Sequence, residues 1–401
     1  MKDLSESRIL IVDDITSNID ILVAALRADY KLSIALDGPG ALKAIEKNPP
    51  DLVLLDIMMP GMDGYEVCSR LRSDEATREI PVMFLSALED VQNKARGFEV
   101  GGNDYLTKPF EILEVKARVK SLLKAKAYAD AVKEAVEREL RIAREIQMGI
   151  LPSDFSPCTA GTGLDIHAFI EPARRVGGDL YEVLRASDRH VVVAVGDVMG
   201  KGISSSLFMA VTVTLLRMIC RQTQQPEEIL KRLNDELEAQ NPRRMFVTMA
   251  VLVFDLLSRR VTGASAGHTP LLLIPRSGAP RFAFPSSGMV LGMRPQRTYT
   301  SETLDLTWGD TLLLYSDGVT EAENLKEEQF ESERLLKCFP DPSARTAGEV
   351  VARLLAEVQT FSAGAPQTDD LTILAVRYAP DVVKQEQLLA PPRGVVAESR
   401  S

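Results

Sequence analysis

The chain has 401 residues, 45% of them hydrophobic and 26% charged, with a formal net charge of −10. That apolar content suffices for about two or three domains with cores of their own, and the acidic balance argues against a nucleic-acid-binding face, which needs clustered Lys and Arg. The four cysteines, Cys68, Cys158, Cys220 and Cys338, form no CxxC pair, so neither a structural zinc site nor a disulfide framework is indicated. The first residues, MKDLSESRILIVDD, lack an apolar signal core, and no run of about 18 apolar residues occurs. A cytoplasmic protein that does not span a membrane is expected.

Short apolar runs at Ile9–Val12, Leu32–Ala35, Leu52–Leu55, Val82–Leu85 and Asp104–Leu106 alternate with helix-like segments. This is the rhythm of a doubly wound α/β domain with a parallel sheet. Chemistry in such sheets gathers at the carboxyl ends of the strands. Asp13 and Asp14 follow the first run there, Asp56 ends the third, Ser86 follows the fourth and Lys108 the fifth. Three carboxylates converging on one edge would repel one another unless a hard divalent cation, Mg²⁺ by preference, sits among them.

The strings ILIVDD, DLVLLDIMMPGMDGYEV, PVMFLSA and GGNDYLTKPF, in that order, resemble the flavodoxin-like receiver domain of bacterial response regulators. The resemblance implies that Asp56 is the phosphoacceptor and that Asp13 and Asp14, with Asp56, hold Mg²⁺. It further implies that Ser86 meets the phosphoryl group, Lys108 is its cationic partner, Tyr105 reorients on activation, and Lys108–Pro109 is cis. A sensor histidine kinase would be the phosphodonor. An aspartate nucleophile forming an acyl phosphate, with metal and lysine neutralising charge, fits these residue types.

Glu111–Leu151 contains no Pro and a single Gly, near its end, and reads as one long helix. Ala125, Ala129, Val132, Val136, Leu140, Ala143, Ile146 and Ile150 recur every three or four residues among charged neighbours. So narrow a seam suits a partner helix, hence a coiled coil and a homodimer; the other reading is a surface helix packed on its own domain. The expected organisation is therefore a receiver at 1–124, a helical coiled-coil linker at 125–152, a second domain at 153–379 and a tail at 380–401 without lasting structure.

Past Pro152 the composition turns to Ser, Pro, Thr and Gly, and strand-like runs appear at Val191–Val195, Thr248–Asp255, Pro270–Ile274 and Thr311–Tyr315, with helical patterns after 203 and 226. Asp179, Asp197, Asp317 and Asp369 each stand beside a Gly-containing turn or a strand border. Glycines allow tight turns that bring such loops together, and oxygen-rich clusters favour Mg²⁺ or Mn²⁺ over zinc. Lys201, in a glycine-rich turn, is either a phosphate contact or a solvated side chain.

The strings AREIQMGILP, VGGDLYEV, VGDVMGKGISSSLFMA, FVTMAVLVFD, ASAGHTPLLL, GDTLLLYSDGVTEAEN and TDDLTILAVR are similar to those of the PP2C-type (PPM) serine/threonine phosphatases of the SpoIIE and RsbU group. The resemblance implies an α+β fold, a β-sandwich flanked by helices. It makes Asp179, Asp197, Asp317, Asp369 and the Val198 carbonyl the ligands of two Mn²⁺ or Mg²⁺ ions that orient a water for in-line attack. Asp370 competes with Asp369 for the last ligand position, and His268 is either a general acid or a loop-ordering hydrogen bonder. The implied substrate is a phosphorylated anti-anti-sigma (STAS-type) protein. The chain departs from the commonest pattern at Leu180, Glu182, Thr269 and Leu271 without losing a proposed carboxylate. The competing function is an adaptor that binds a regulatory partner through the same fold without catalysis.

Overall fold

The structure of the protein, a computed structural model, describes residues 3–86, 91–239, 241–340 and 346–379. The tail expected at 380–401 lies outside the described residues. The chain divides into two compact units, Met1–Glu139 and Leu140–Ser401.

In the first unit, strands and helices alternate after a 3-10 turn at Leu4–Glu6: β1 (Arg8–Val12), α1 (Thr16–Leu26), β2 (Lys31–Ala35), α2 (Gly38–Lys47), β3 (Leu52–Asp56), α3 (Gly64–Ser73), β4 (Val82–Ser86), α4 (Val91–Glu99), β5 (Asp104–Thr107) and the start of α5 (Ile112–Ile150). The strands are all parallel, in the order β2-β1-β3-β4-β5. Their near-continuous apolar runs are what a sheet covered on both faces requires. Alternate residues face opposite ways: Ile9, Ile11, Leu52, Leu54 and Met83 pack with α1 and with Val115, Val119 and Leu123 of α5, whereas Leu10, Val12, Val53, Leu55 and Phe84 pack with α2 and α3. Side-chain caps start two of these helices, Asp37 accepting from Gly40 N at 2.6 Å and Asp63 from Glu66 N at 2.8 Å.

The second unit begins with the end of α5 and continues through α6 (Ser156–Thr159), β6 (Leu164–Glu171), β7 (Leu180–Arg185), β8 (His190–Val198), α7 (Ile203–Cys220), α8 (Pro226–Ala239), β9 (Val247–Asp255), β10 (Arg260–Ala266), β11 (Leu271–Ile274), β12 (Arg281–Ala283), β13 (Glu302–Asp305), β14 (Thr311–Tyr315), α9 (Asp317–Thr320), α10 (Glu331–Lys337), α11 (Ala347–Ser362) and β15 (Leu371–Tyr378). Two antiparallel sheets result, β13-β10-β9-β8-β7 and β12-β11-β14-β15-β6. Their inner faces share one core, in which Val191, Val193 and Leu252 meet Leu312, Leu314, Leu374 and Val376. The opposite face of the second sheet, Leu313, Tyr315, Ile373 and Ala375, is covered by α10 and α11. Both sheets are therefore apolar on both sides, and the unit is a sandwich flanked by helices.

Helix α7 is apolar enough, with a mean hydropathy of 1.7, to pass for a membrane span by length and composition. Its Met209, Val213 and Leu216 are instead buried in the core of this unit.

Helix α5 runs unbroken for 39 residues, within one residue at each end of the span read from the sequence. Its apolar seam is uncovered along the middle: Val132 and Val136 are 45% and 53% exposed, and Tyr128 and Ile146 are exposed as well. Val115, Val119 and Leu123 at its start are buried, and Ile150 packs against the core of the second unit.

Candidate functional site

Two acidic centres stand out, one in each unit. In the first, β1 delivers Asp13 and Asp14 to the sheet edge, β3 delivers Asp56, β4 Ser86, and the segment after β5 Lys108. Asp13 and Asp56 are buried and Asp14 is exposed; one carboxylate oxygen from each lies within 4.8 Å of the other two. The Lys108 ammonium sits between two of them, 2.8 Å from Asp13 Oδ2 and 2.9 Å from Asp56 Oδ2. Burial raises the Asp56 carboxyl above its usual range, and the Lys108 hydrogen bond opposes that shift. Asp13 Oδ1 accepts from Ile15 N at 2.9 Å, and both of its oxygens accept from Asn18 Nδ2 at 3.0 Å, which fixes its orientation.

Ser86 is buried and pairs in register with Thr107. The Lys108–Pro109 peptide is cis. Tyr105 lies inward, 8% exposed, with its ring 5.3 Å from Phe84 and 5.4 Å from Phe98. A glycine on α4 makes room for it, because a Cβ at Gly97 would stand 1.3 Å from the Tyr105 hydroxyl oxygen.

The second centre follows from strand register. Leu180 pairs with Gly196, so Asp179, just before β7, and Asp197, near the end of β8, come to the same end of one sheet. Tyr315 pairs with Ile373, so Asp317, two residues beyond, and Asp369, before β15, come to one end of the other. Thr372 Oγ1 donates to Asp179 Oδ2 at 2.5 Å across the sandwich, which brings the two pairs together.

Burial, then the neighbouring Asp197, pushes Asp179 well above the normal carboxylate range. Burial, then Asp317, Asp369 and Asp370, pushes Asp197 up to about 7, and burial followed by Asp369 raises Asp317. So many mutually repelling carboxylates in one buried region call for positive charge. Part of it comes from Lys201, whose ammonium is 2.9 Å from Asp369 Oδ2 and donates to the Thr368 carbonyl at 2.5 Å. Lys201 is thus neither free in solvent nor aimed away from the centre. Among the described residues, the receiver trio is the group that brings three carboxylate oxygens within 4.8 Å of one another. Asp179, Asp197, Asp317 and Asp369 do not bring three ligand atoms that close together.

Asp370 has a different task from its neighbour. It is buried, and its oxygens accept from Ala173 N at 2.8 Å, Gly178 N at 2.6 Å and Asp179 N at 3.4 Å. With its acceptors turned to the backbone of the 173–179 loop, it anchors that loop to β15. The glycines there serve close approach rather than turn geometry: a Cβ at Gly177 would lie 2.1 Å from Asp370 Oδ2, and one at Gly178 would lie 2.5 Å from the Val198 carbonyl oxygen. Val198 itself is buried, and its N–H donates to Gly178 O at 3.3 Å. His268 is buried, with Nε2 3.1 Å from the Tyr315 carbonyl and Nδ1 2.9 Å from Thr248 Oγ1. Both ring nitrogens are engaged in ordering the strands.

Sequence reasoning missed three contributors. Glu182 is buried and its Oε2 accepts from Arg217 Nε at 2.6 Å. Arg217 also donates to the Ile150 carbonyl at the end of α5, at 2.6 Å. Gln147, on the last turn of α5, is buried and bonds to Gly177. The one available signal was that Gln147 and Glu182 lie inside strings shared with a known family.

Residues 9–120 match the response regulator receiver domain family, and residues 187–379 match the Stage II sporulation protein E (SpoIIE) family. The second match begins after β6 and β7, so the sandwich extends upstream of it. Response regulator PleD of Caulobacter vibrioides is 45% identical over 129 residues, 32% of this chain and 28% of PleD. Protein IcfG of Synechocystis sp. is 28% identical over 291 residues, 65% of this chain and 44% of IcfG. The chain thus spans well under half the length of either relative. Among solved structures, the SiaA-PP2C domain of Pseudomonas aeruginosa aligns with a TM-score of 0.56 at 21% identity, over 62% of this chain and 99% of that one, a likeness of fold. With the parallel receiver sheet, the antiparallel sandwich and both family matches in place, the chain joins an N-terminal receiver domain of the response regulator family to a C-terminal domain of the SpoIIE family with a PP2C-like fold.

Proposed function

We propose that the protein is a metal-dependent phosphoserine/phosphothreonine protein phosphatase whose output is controlled by phosphorylation of its receiver at Asp56. The observation that carries the reading is the register-driven meeting of Asp179, Asp197, Asp317 and Asp369, with burial and mutual repulsion raising three of them. An all-oxygen donor set suits Mg²⁺ or Mn²⁺. Asp179, Asp197, Asp317, Asp369 and the Val198 carbonyl would hold two such ions, which supply charge neutralisation and the activation of a water for in-line attack on phosphorus.

The chain's own residues prepare that site. Thr372 orients Asp179, Asp370 fixes the loop that carries it, and Lys201 places a cation beside Asp369 that is also suited to a phosphate oxygen. All four cysteines are buried and free, so none stands ready as a nucleophile. In the receiver, Asp13, Asp14 and Asp56 suit one Mg²⁺, Lys108 and Ser86 flank the phosphoryl position, and Tyr105 is the side chain that changes place. A sensor histidine kinase would supply the phosphoryl group. The substrate class is a phosphorylated STAS-type anti-anti-sigma protein, supported by the resemblance of the AREIQMGILP to TDDLTILAVR strings, and the exposed α5 seam supports a homodimer.

The test is release of phosphate from a phosphoserine STAS protein in Mn²⁺. The wild type should turn over, and Asp179→Ala should lose about 100-fold or more of the rate. Equal inactivity of both, with the partner still bound, would replace this reading with the adaptor.

A further inference from the structure

Gln147 is 5% exposed although Ile146, beside it on α5, is 63% exposed. A long polar side chain pulled into the interior there must find partners for both its donor and its acceptor. It finds them on one residue: Gln147 Nε2 donates to the Gly177 carbonyl at 2.8 Å, and Gly177 N donates back to Gln147 Oε1 at 3.2 Å. The carboxamide thus satisfies a peptide group as a neighbouring strand would.

What Gly177 leads into makes this more than a packing detail. Gly178 N and Asp179 N both donate to Asp370 Oδ2, and Asp179 Oδ2 accepts from Thr372. The loop is therefore gripped between Asp370 of the sheet and Gln147 of the helix, and the 2.1 Å from a would-be Gly177 Cβ to Asp370 Oδ2 leaves it no slack. The other bonds at the helix end do a different task. Arg217 to Ile150 O and Glu182, and Tyr181 Oη to Pro152 O at 3.0 Å, attach the end of α5 to β7 beyond Asp179. Gln147 is the α5 side chain that reaches the segment leading to Asp179 from upstream.

We propose that Gln147 is a positioning residue through which α5 sets the backbone at Gly177–Asp179, and with it the affinity of the phosphatase centre for its divalent cations. The proposal rests on Asp179 being a metal ligand. A small rotation or slide of α5 lengthens both bonds at once, because a hydrogen bond weakens steeply with distance and angle. The loop then loses one of its two grips while the sandwich stays packed. Partners that orient ligands in this way commonly govern metal affinity by about 10- to 100-fold.

The experiment is a Mn²⁺ titration by calorimetry on the full chain. An Asp14→Ala background removes the receiver's cation site from the signal, and amide exchange is followed over residues 173–180. Gln147→Leu should weaken Mn²⁺ binding about tenfold or more and speed exchange at Gly177. Gln147→Glu, which keeps the acceptor for Gly177 N, should fall between. Tyr181→Phe, which removes only the bond to Pro152, should bind Mn²⁺ as the parent does. Parental Mn²⁺ affinity in folded Gln147→Leu overturns the proposal; should that variant not fold, parental affinity in Gln147→Glu does so. Unchanged Mn²⁺ binding in Asp179→Ala overturns the ligand reading itself, a result separable from either of those.

Discussion

Burial lowers the His268 pKa to about 4, and both ring nitrogens are held by Tyr315 and Thr248. Between that value and the ordinary 6.5, the folded protein binds fewer protons at this site than the unfolded chain does. The contribution is therefore complete above pH 6.5 and is lost as the pH falls towards 4, by about 3 kcal/mol over the range. The urea midpoint of the phosphatase domain should fall more between pH 7.5 and pH 5 in the wild type than in His268→Asn. Equal falls would show that the ring is not held neutral. A general acid at neutral pH would need a pKa near 7, so the ordering role follows from the surroundings and not from residue type. The pair Asp369 and Asp370 teaches the same lesson. Two adjacent aspartates look alike in TDDL, yet Asp370 is turned to three backbone N–H groups and Asp369 to Lys201.

At the scale of the element, α5 has two different environments along one helix. Near its start Val115, Val119 and Leu123 are buried against the receiver sheet, and at its end Ile150 and Gln147 are engaged by the second unit. Between them the apolar side chains of Tyr128, Val132 and Val136 face solvent. Exposed apolar residues spaced by four on a long helix are what a partner helix covers. Val132→Glu with Val136→Glu should weaken self-association roughly tenfold or more by placing charge in the seam, read as a lower solution mass. It should also uncouple receiver from output. Unchanged mass and regulation would make α5 a surface helix. The helix and its period were legible because the stretch is long and free of Pro; the buried Gln147 was not, since helical periodicity assigns it to no apolar face.

For the whole molecule, two centres joined by one continuous helix make a testable circuit. Acetyl phosphate should label Asp56, and Asp56→Ala should abolish the label together with any change in phosphatase rate on adding the phosphodonor, while the unstimulated rate stays as in the wild type. Label persisting in the variant would move the phosphoacceptor elsewhere. The sequence by itself determined the two domains, their order and which acids stand at the strand borders, because those signals are local: a strand's apolar run, the acid at its end, the glycine beside it. It also located the ends of α5 and the first-unit strands to within a residue or two. The tertiary structure decided which aspartate anchors a loop, why Gly177 and Gly178 carry no side chain, that His268 is neutral, and that a glutamine ends the linker's reach. Each of these depends on partners far along the chain, such as Thr372 on Asp179 across 193 residues. Periodicity and motif spacing carry information about neighbours in sequence, whereas burial and hydrogen-bond partnership exist only once distant strands have paired.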